Sequence, residues 1–188
     1  MFLTTDFRKG LKIEYDSKPF SIVEFQHVNP GKGSAFVRTR LKNLETGQVL
    51  EITFKAGDKV NKPDLEFKQM QYLYNDGTTY TFMDNTSYDQ VTLTADDLGD
   101  SRFYIIENSM VQVTYFRGRP VSIEVENFAD LKVSETQPNI RGDTSSGGGK
   151  PAKMETGLIV QVPFHISEGD VLRIDSRTGK YVEKVGKK

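Results

Sequence analysis

The chain has 188 residues, 27% charged and 11% aromatic, the make-up of a folded protein rather than a disordered one. It has no cysteine, which excludes disulfides, thiol nucleophiles and thiolate metal sites and fits a reducing compartment. The formal net charge is −1, but residues 1–63 carry +4, residues 64–127 carry −7 and residues 128–188 carry +2. A phosphate backbone is therefore expected at the two ends of the chain and not at its acidic middle.

The opening residues lack a basic segment followed by an apolar core, and no apolar run is long enough to span a bilayer. A cytoplasmic protein without a membrane partner is expected. Residues 1–63 read as a small SH3-like β-barrel. Leu11–Tyr15 is followed by a turn at Asp16–Pro19, then by alternating runs at Ser21–Val28 and Ser34–Leu41. Glu45–Gln48 is the next turn, and Val49–Phe54 alternates again.

Between the second and third runs lies Asn29-Pro30-Gly31-Lys32-Gly33. Pro30 fixes one φ angle, and the two glycines open backbone geometries closed to other residues. The tip carries one long cation with nothing bulky beside it. On the loop alone, Lys32 is either an ordinary solubilising turn residue or a functional tip. Arg38, Arg40 and Lys42 share one face of their strand by the two-residue period. They form either a solvated face or a phosphate-contacting stripe.

Asn61–Asp64 reads as a linker, and residues 64–127 as an oligonucleotide/oligosaccharide-binding (OB) barrel. Its strands are placed at Glu66–Tyr74, Thr78–Met83, Val91–Leu93, Phe103–Ile106, Met110–Phe116 and Val121–Val125, with one helical turn at Ala95–Gly99. The aromatics Tyr72, Tyr74, Tyr80, Phe82 and Tyr88 suit a core better than a base-stacking platform, because the surrounding charge is acidic. Residues 128–188 read as a second OB-like barrel. Leu131–Val133 opens it, a loop runs from about Gln137 to Lys153, and strands follow at Leu158–Pro163, Asp170–Ile174 and Lys180–Lys184.

No constellation supports an enzyme. Gly149-Lys150 is followed by Pro151 and preceded five residues earlier by Thr144, so the phosphate-loop spacing fails. His27 and His165 fall in different proposed domains, which removes a metal pair and a Ser/His/Asp triad. Adjacent Asp96 and Asp97 point different ways and make a poor acid/base pair. No cofactor is expected.

Two stretches carry a resemblance that covers essentially the whole chain. One is Phe25–Arg38, containing Asn29-Pro30-Gly31-Lys32-Gly33. The other comprises Gly142-Asp143-Thr144, Lys150-Pro151-Ala152, Thr156-Gly157, Val160-Gln161-Val162-Pro163 and Glu168-Gly169-Asp170. Together they resemble the bacterial elongation factor P family.

The resemblance implies three β domains in an L-shaped, tRNA-like outline, bound to the 70S ribosome between the peptidyl-tRNA and exit sites. It implies relief of stalling at consecutive prolines. Lys32, supported by Pro30, Gly31 and Gly33, would reach beside the CCA end of the P-site tRNA. In many members this lysine is extended covalently, which implies a modifying enzyme as a further partner. Gly142, Asp143 and Thr144 look like the loop that approaches the exit-site codon, and Tyr181 and Lys184 look like small-subunit or tRNA contacts. A monomer suits such a mimic. The competing expectation is a stand-alone module of OB barrels that binds single-stranded RNA.

Overall fold

A computed structural model describes residues 1–138 and 148–187. The chain divides into two compact units: Met1–Lys68 with Val91–Gly99 and Val113–Ser122, and Gln69–Gln90 with Asp100–Gln112 and Ile123–Lys188. Regular structure among the described residues is nearly all strand, interrupted by three short helical turns, the longest of them at Gly99–Tyr104.

In the first unit, β2 (Lys12–Tyr15), β3 (Lys18–Val28), β4 (Phe36–Asn43) and β5 (Val49–Lys55) form a four-stranded antiparallel sheet in chain order. A two-stranded ribbon of β1 (Phe2–Leu3) and β6 (Lys59–Val60) completes the strands of residues 1–60. Alternation along β4 puts Val37, Thr39, Leu41 and Asn43 inside and Arg38, Arg40 and Lys42 outside. Val37 and Leu41 join Ile13, Phe20, Ile22 and Phe54 in one core. Each such side chain contributes about 1.5–3 kcal/mol of burial. The buried polar residues on this face are satisfied: Thr39 donates its hydroxyl to the Ile52 carbonyl at 2.7 Å, and the Asn43 side chain accepts from Glu45 N at 2.8 Å.

Strands β7 (Leu65–Asn75), β8 (Thr79–Met83), β9 (Gln90–Thr94), β10 (Met110–Phe116) and β11 (Arg119–Glu124) make a sheet in the order β11-β10-β7-β8-β9. An α-helical turn, α1 (Ala95–Leu98), starts where the sequence placed it, and Thr94 caps it by accepting from Asp97 N at 3.1 Å. Phe103–Ile106 is not the expected strand. Gly99–Tyr104 is a 3-10 turn, with Ile105 buried behind it.

The second unit contains β12 (Phe128–Thr136), β13 (Lys150–Met154), β14 (Ile159–Val162), β15 (Asp170–Asp175) and β16 (Lys180–Lys187), ordered β14-β13-β12-β15-β16. Strand β13 lies inside the segment expected as loop. Pro151 argues against a strand, yet its position tolerates it. Thr136↔Ala152 is the last β12–β13 pair, so Pro151 has its ladder partner, Gln161, on β14, and toward β12 only its carbonyl is engaged, accepting from the Thr136 hydroxyl at 3.1 Å.

The glycine that failed as a phosphate loop has a packing role instead. A Cβ on Gly149 would stand 2.8 Å from the Val162 carbonyl oxygen, a backbone atom that cannot swing aside. Lys150 beside it is buried, and its ammonium donates to the Gln137 carbonyl at 2.6 Å. Gly149→Ala is expected to cost about 1–3 kcal/mol through this overlap, read as a lower urea midpoint in equilibrium unfolding.

Asp170 is a second buried charge in this unit. Its side chain is 2% exposed, and Lys184 Nζ stands 3.3 Å from Oδ1. Burial pulls the carboxyl upward, but the Ser167 amide, bonded to Oδ2 at 2.9 Å, and the Lys184 ammonium outweigh it and hold Asp170 below the ordinary carboxylate range. Because the folded-state value is depressed, the stabilisation is present above the unfolded value and is lost as pH falls through the folded one. Lys184 is 41% exposed, so the pair is partly solvated. Lys184→Met is therefore expected to cost about 1–3 kcal/mol near neutrality, less than a fully buried pair. The gap from the parent protein should narrow as pH falls below the ordinary carboxylate range and close once Asp170 is protonated in both, at strongly acid pH. Urea unfolding at both pH values checks this, and a gap independent of pH would contradict it.

Candidate nucleic-acid interface and the Lys32 loop

The last pair of the β3–β4 ladder is Val28↔Phe36, so residues 29–35 form the connecting loop. Lys32 is exposed at its centre, with Gly31 and Gly33 exposed on either side. The two glycines differ in kind. Gly33 has φ +104°, a left-handed geometry that strains any residue with a side chain, and an added Cβ would lie 4.0 Å from Pro30 Cγ. At Gly31 the backbone is ordinary and an added Cβ meets nothing within 4 Å. The fold therefore explains Gly33 and supplies no reason for Gly31.

The base of the loop is held on one side. Ala56 N donates to the Ala35 carbonyl at 3.0 Å, which ties the return of the loop to the turn after β5. Among the described residues, no side-chain or turn hydrogen bond is made by residues 30–34. A segment without such bonds draws its direction from its anchors.

The expected basic stripe is present on the outer face of β4, but its charges are not equivalent. Arg40 sits between Glu24 and Glu51 across the ladder, with its guanidinium 3.5 Å from the Glu24 carboxylate. An exposed pair of this kind adds little stability, about 0–1 kcal/mol, but it offsets the charge offered to a phosphate. Arg38 faces Gln26 and Thr53, and its guanidinium lies 5.5 Å from the Phe36 ring centroid. Lys42 faces Ser21 and Val49. Arg38, two residues from the loop end of the ladder, is the less compensated of the two arginines.

The remaining expected site residues scatter. Gly142, Asp143 and Thr144 lie outside the described residues. Tyr181 is half-buried, opposite Ile174, and packs on the core of Leu131, Val133, Met154 and Leu172. Lys184 neutralises Asp170 as described above. The five aromatics of the middle segment weighed as a stacking platform divide as well. Tyr72, Tyr80 and Phe82 are core, while Tyr74 is 54% and Tyr88 71% exposed. Tyr72 and Tyr74 share parity, but the register shifts between them, with Tyr72 opposite Phe82 and Tyr74 opposite Thr81. A bulge of this kind redirects the side chains beyond it.

Among the described residues, no group of three or more His, Asp or Glu is placed to hold a metal ion, and no helix is long and apolar enough to cross a membrane.

Three family profiles match successive segments: "Elongation factor P (EF-P) KOW-like domain" at residues 3–60, "Elongation factor P (EF-P) OB domain" at 65–123 and "Elongation factor P, C-terminal" at 129–184. Elongation factor P of Thermodesulfovibrio yellowstonii is 53% identical over 185 residues, covering 98% of this chain and 99% of that protein. Elongation factor P of Bdellovibrio bacteriovorus is 50% identical over 188 residues and covers both chains completely. Among solved structures, eukaryotic translation initiation factor 5A from Methanococcus jannaschii superposes with a TM-score of 0.54 at 20% identity, covering 65% of this chain and 90% of that one. At that identity the likeness speaks for the fold alone. The all-β architecture expected from strand periodicity thus combines KOW-like and OB domains, and the chain belongs to the elongation factor P family, translation factors rather than enzymes.

Proposed function

We propose that this elongation factor binds the 70S ribosome between the P and E sites and speeds peptide-bond formation where consecutive prolines stall it. Lys32 is the acting group, and the CCA end of the P-site peptidyl-tRNA is its target. The observation that carries this reading is the loop itself: one exposed cation, flanked by glycines, at the end of a regular antiparallel ladder. Three successive domains, at residues 1–63, 64–127 and 128–188, form the body that presents it. The three family segments support that division. The factor works where ribosomes do, in the cytoplasm, as a monomer.

Proline is a poor peptidyl donor and acceptor because its ring locks φ and restricts approach. A cation against the terminal tRNA backbone holds the ester in line, so the gain is positional. A tenfold acceleration needs only about 1.4 kcal/mol, within the strength of one charge-assisted hydrogen bond. No acid, base or nucleophile from the factor is required. An exposed amine on a flexible stem also suits a modifying enzyme, and covalent extension of Lys32 would lengthen its reach. Arg38 and Arg40 are proposed to meet RNA phosphates near the loop, with Gly142, Asp143 and Thr144 near the E-site codon. Tyr181 and Lys184 are proposed contacts at the same end of the chain, alongside their packing roles.

Gly31 and Gly33 keep space beside the lysine. Gly31 is the cleaner probe, since the free fold accommodates a side chain there. Gly31→Val is expected to unfold like the parent protein in urea and to lose most of the rescue of a polyproline reporter, because its bulk meets the partner only. Lys32→Ala is expected to leave the far-ultraviolet circular dichroism unchanged and to abolish rescue. Full-length reporter synthesis by Lys32→Ala would end this account. Should bare single-stranded RNA bind as tightly as ribosomes and independently of Lys32, the RNA-module alternative would replace it.

A further inference from the structure

We propose that Thr4 is a positioning residue for the Lys32 loop, working through the turn after β5, and that Asp58 completes the same brace. This deepens the elongation reading and rests on it. Thr4 is 1% exposed, within a short 3-10 turn that follows β1, far in sequence from the loop it serves.

The geometry is a run of three consecutive amides, each with a different acceptor. Lys55 N donates to Asp58 Oδ2 at 2.9 Å, and Gly57 N donates to Thr4 Oγ1 at 2.9 Å. Between them, Ala56 N donates to the Ala35 carbonyl at 3.0 Å. The first two bonds hold the turn, and the middle one holds the base of the Lys32 loop. Thr4 N closes the arrangement by donating to the Asp58 carbonyl at 3.2 Å, and Asp58 N donates to the Lys55 carbonyl at 3.0 Å. The turn needs this fixing because Gly57, at φ +87°, adds no side chain of its own to pack.

Phe36↔Lys55 is the final pair of the β4–β5 ladder, so Ala35 and Ala56 lie just past the sheet. There the ladder no longer sets the direction of the chain. Removing the Thr4 hydroxyl leaves the Gly57 amide without its acceptor and lets the turn rotate, which carries the Ala35 end of the loop with it. Misplacement by about 1 Å at a reacting centre costs up to a hundredfold in rate, so a small rotation at the base matters at the Lys32 tip.

The test uses the full chain with Thr4→Val, which keeps the shape and removes the hydroxyl, and Thr4→Ser, which keeps the hydroxyl. Proline–proline synthesis on purified ribosomes is measured against factor concentration, with amide exchange at Ala56 read in parallel. Thr4→Val is expected to lower the maximal rate about threefold or more at an unchanged half-saturating concentration. Exchange at Ala56 should quicken, and Thr4→Ser should restore both. An unchanged maximal rate would overturn the proposal, as would a higher half-saturating concentration alone, the mark of a smaller folded fraction. If Thr4→Val does not fold, Asp58→Ala takes its place with the same readings, since that cap lies nearer the surface. Parent protein that gives no stimulation overturns the elongation reading and this inference together, whereas active parent with equally active Thr4→Val overturns the inference alone.

Discussion

The ends of the Lys32 loop are fixed and its tip is not. Val28 and Phe36 pair across the ladder, Ala35 is tied to Ala56, and residues 30–34 make none of the side-chain or turn bonds that would set their direction from within. A lysine has about 2 kcal/mol of rotamer entropy to lose on docking. Anchoring at Val28, Ala35 and Phe36 confines the backbone ordering that docking adds to the few residues between them. The packed core of Phe20, Ile22, Val37 and Leu41 therefore sets the position of the loop's two ends, by keeping the two strands in register.

Basic residues in this chain serve more than one purpose, and their surroundings tell them apart. Lys150 is enclosed and bonded to a backbone carbonyl. Lys184 compensates a carboxylate that the fold has buried. Arg173 is held by Asp130 and Glu183 at the surface of the second unit. Arg40 has a carboxylate on either side, whereas Arg38 and Lys42 have none opposite them. On the outer face of β4, the charge of Arg40 is thus offset while those of Arg38 and Lys42, on either side of it, are not.

Strand alternation made most of the fold legible. The pattern from Phe36 to Asn43 gave both the core face and the outer arginines correctly. Legibility failed where a local device overrode the period. A bulge sent Tyr74 outward although it shares parity with Tyr72. A proline past the end of a ladder hid β13. A 3-10 turn took the apolar run at Phe103 that read as a strand. Within the site, the loop residues were visible because glycine and proline announce a turn. Thr4 was not, since a threonine bonded to a glycine amide some fifty positions away leaves no local pattern. The partner of Asp170 was equally hidden, because register places Lys187 opposite it while Lys184, opposite Leu172, reaches it diagonally past the irregularity at Val171 and Leu172.

The proposed function divides a body that binds from a tip that acts, and ribosome affinity measures that separation most directly. The comparison is between the dissociation constants of the parent protein and Lys32→Ala for ribosomes stalled at a proline pair, at a fixed physiological salt concentration. The prediction is a change smaller than about tenfold, the worth of one charge-assisted contact of about 1.4 kcal/mol among many, in a variant that no longer relieves the stall. Loss of binding in full proportion to loss of activity would contradict it and make Lys32 an ordinary anchoring contact.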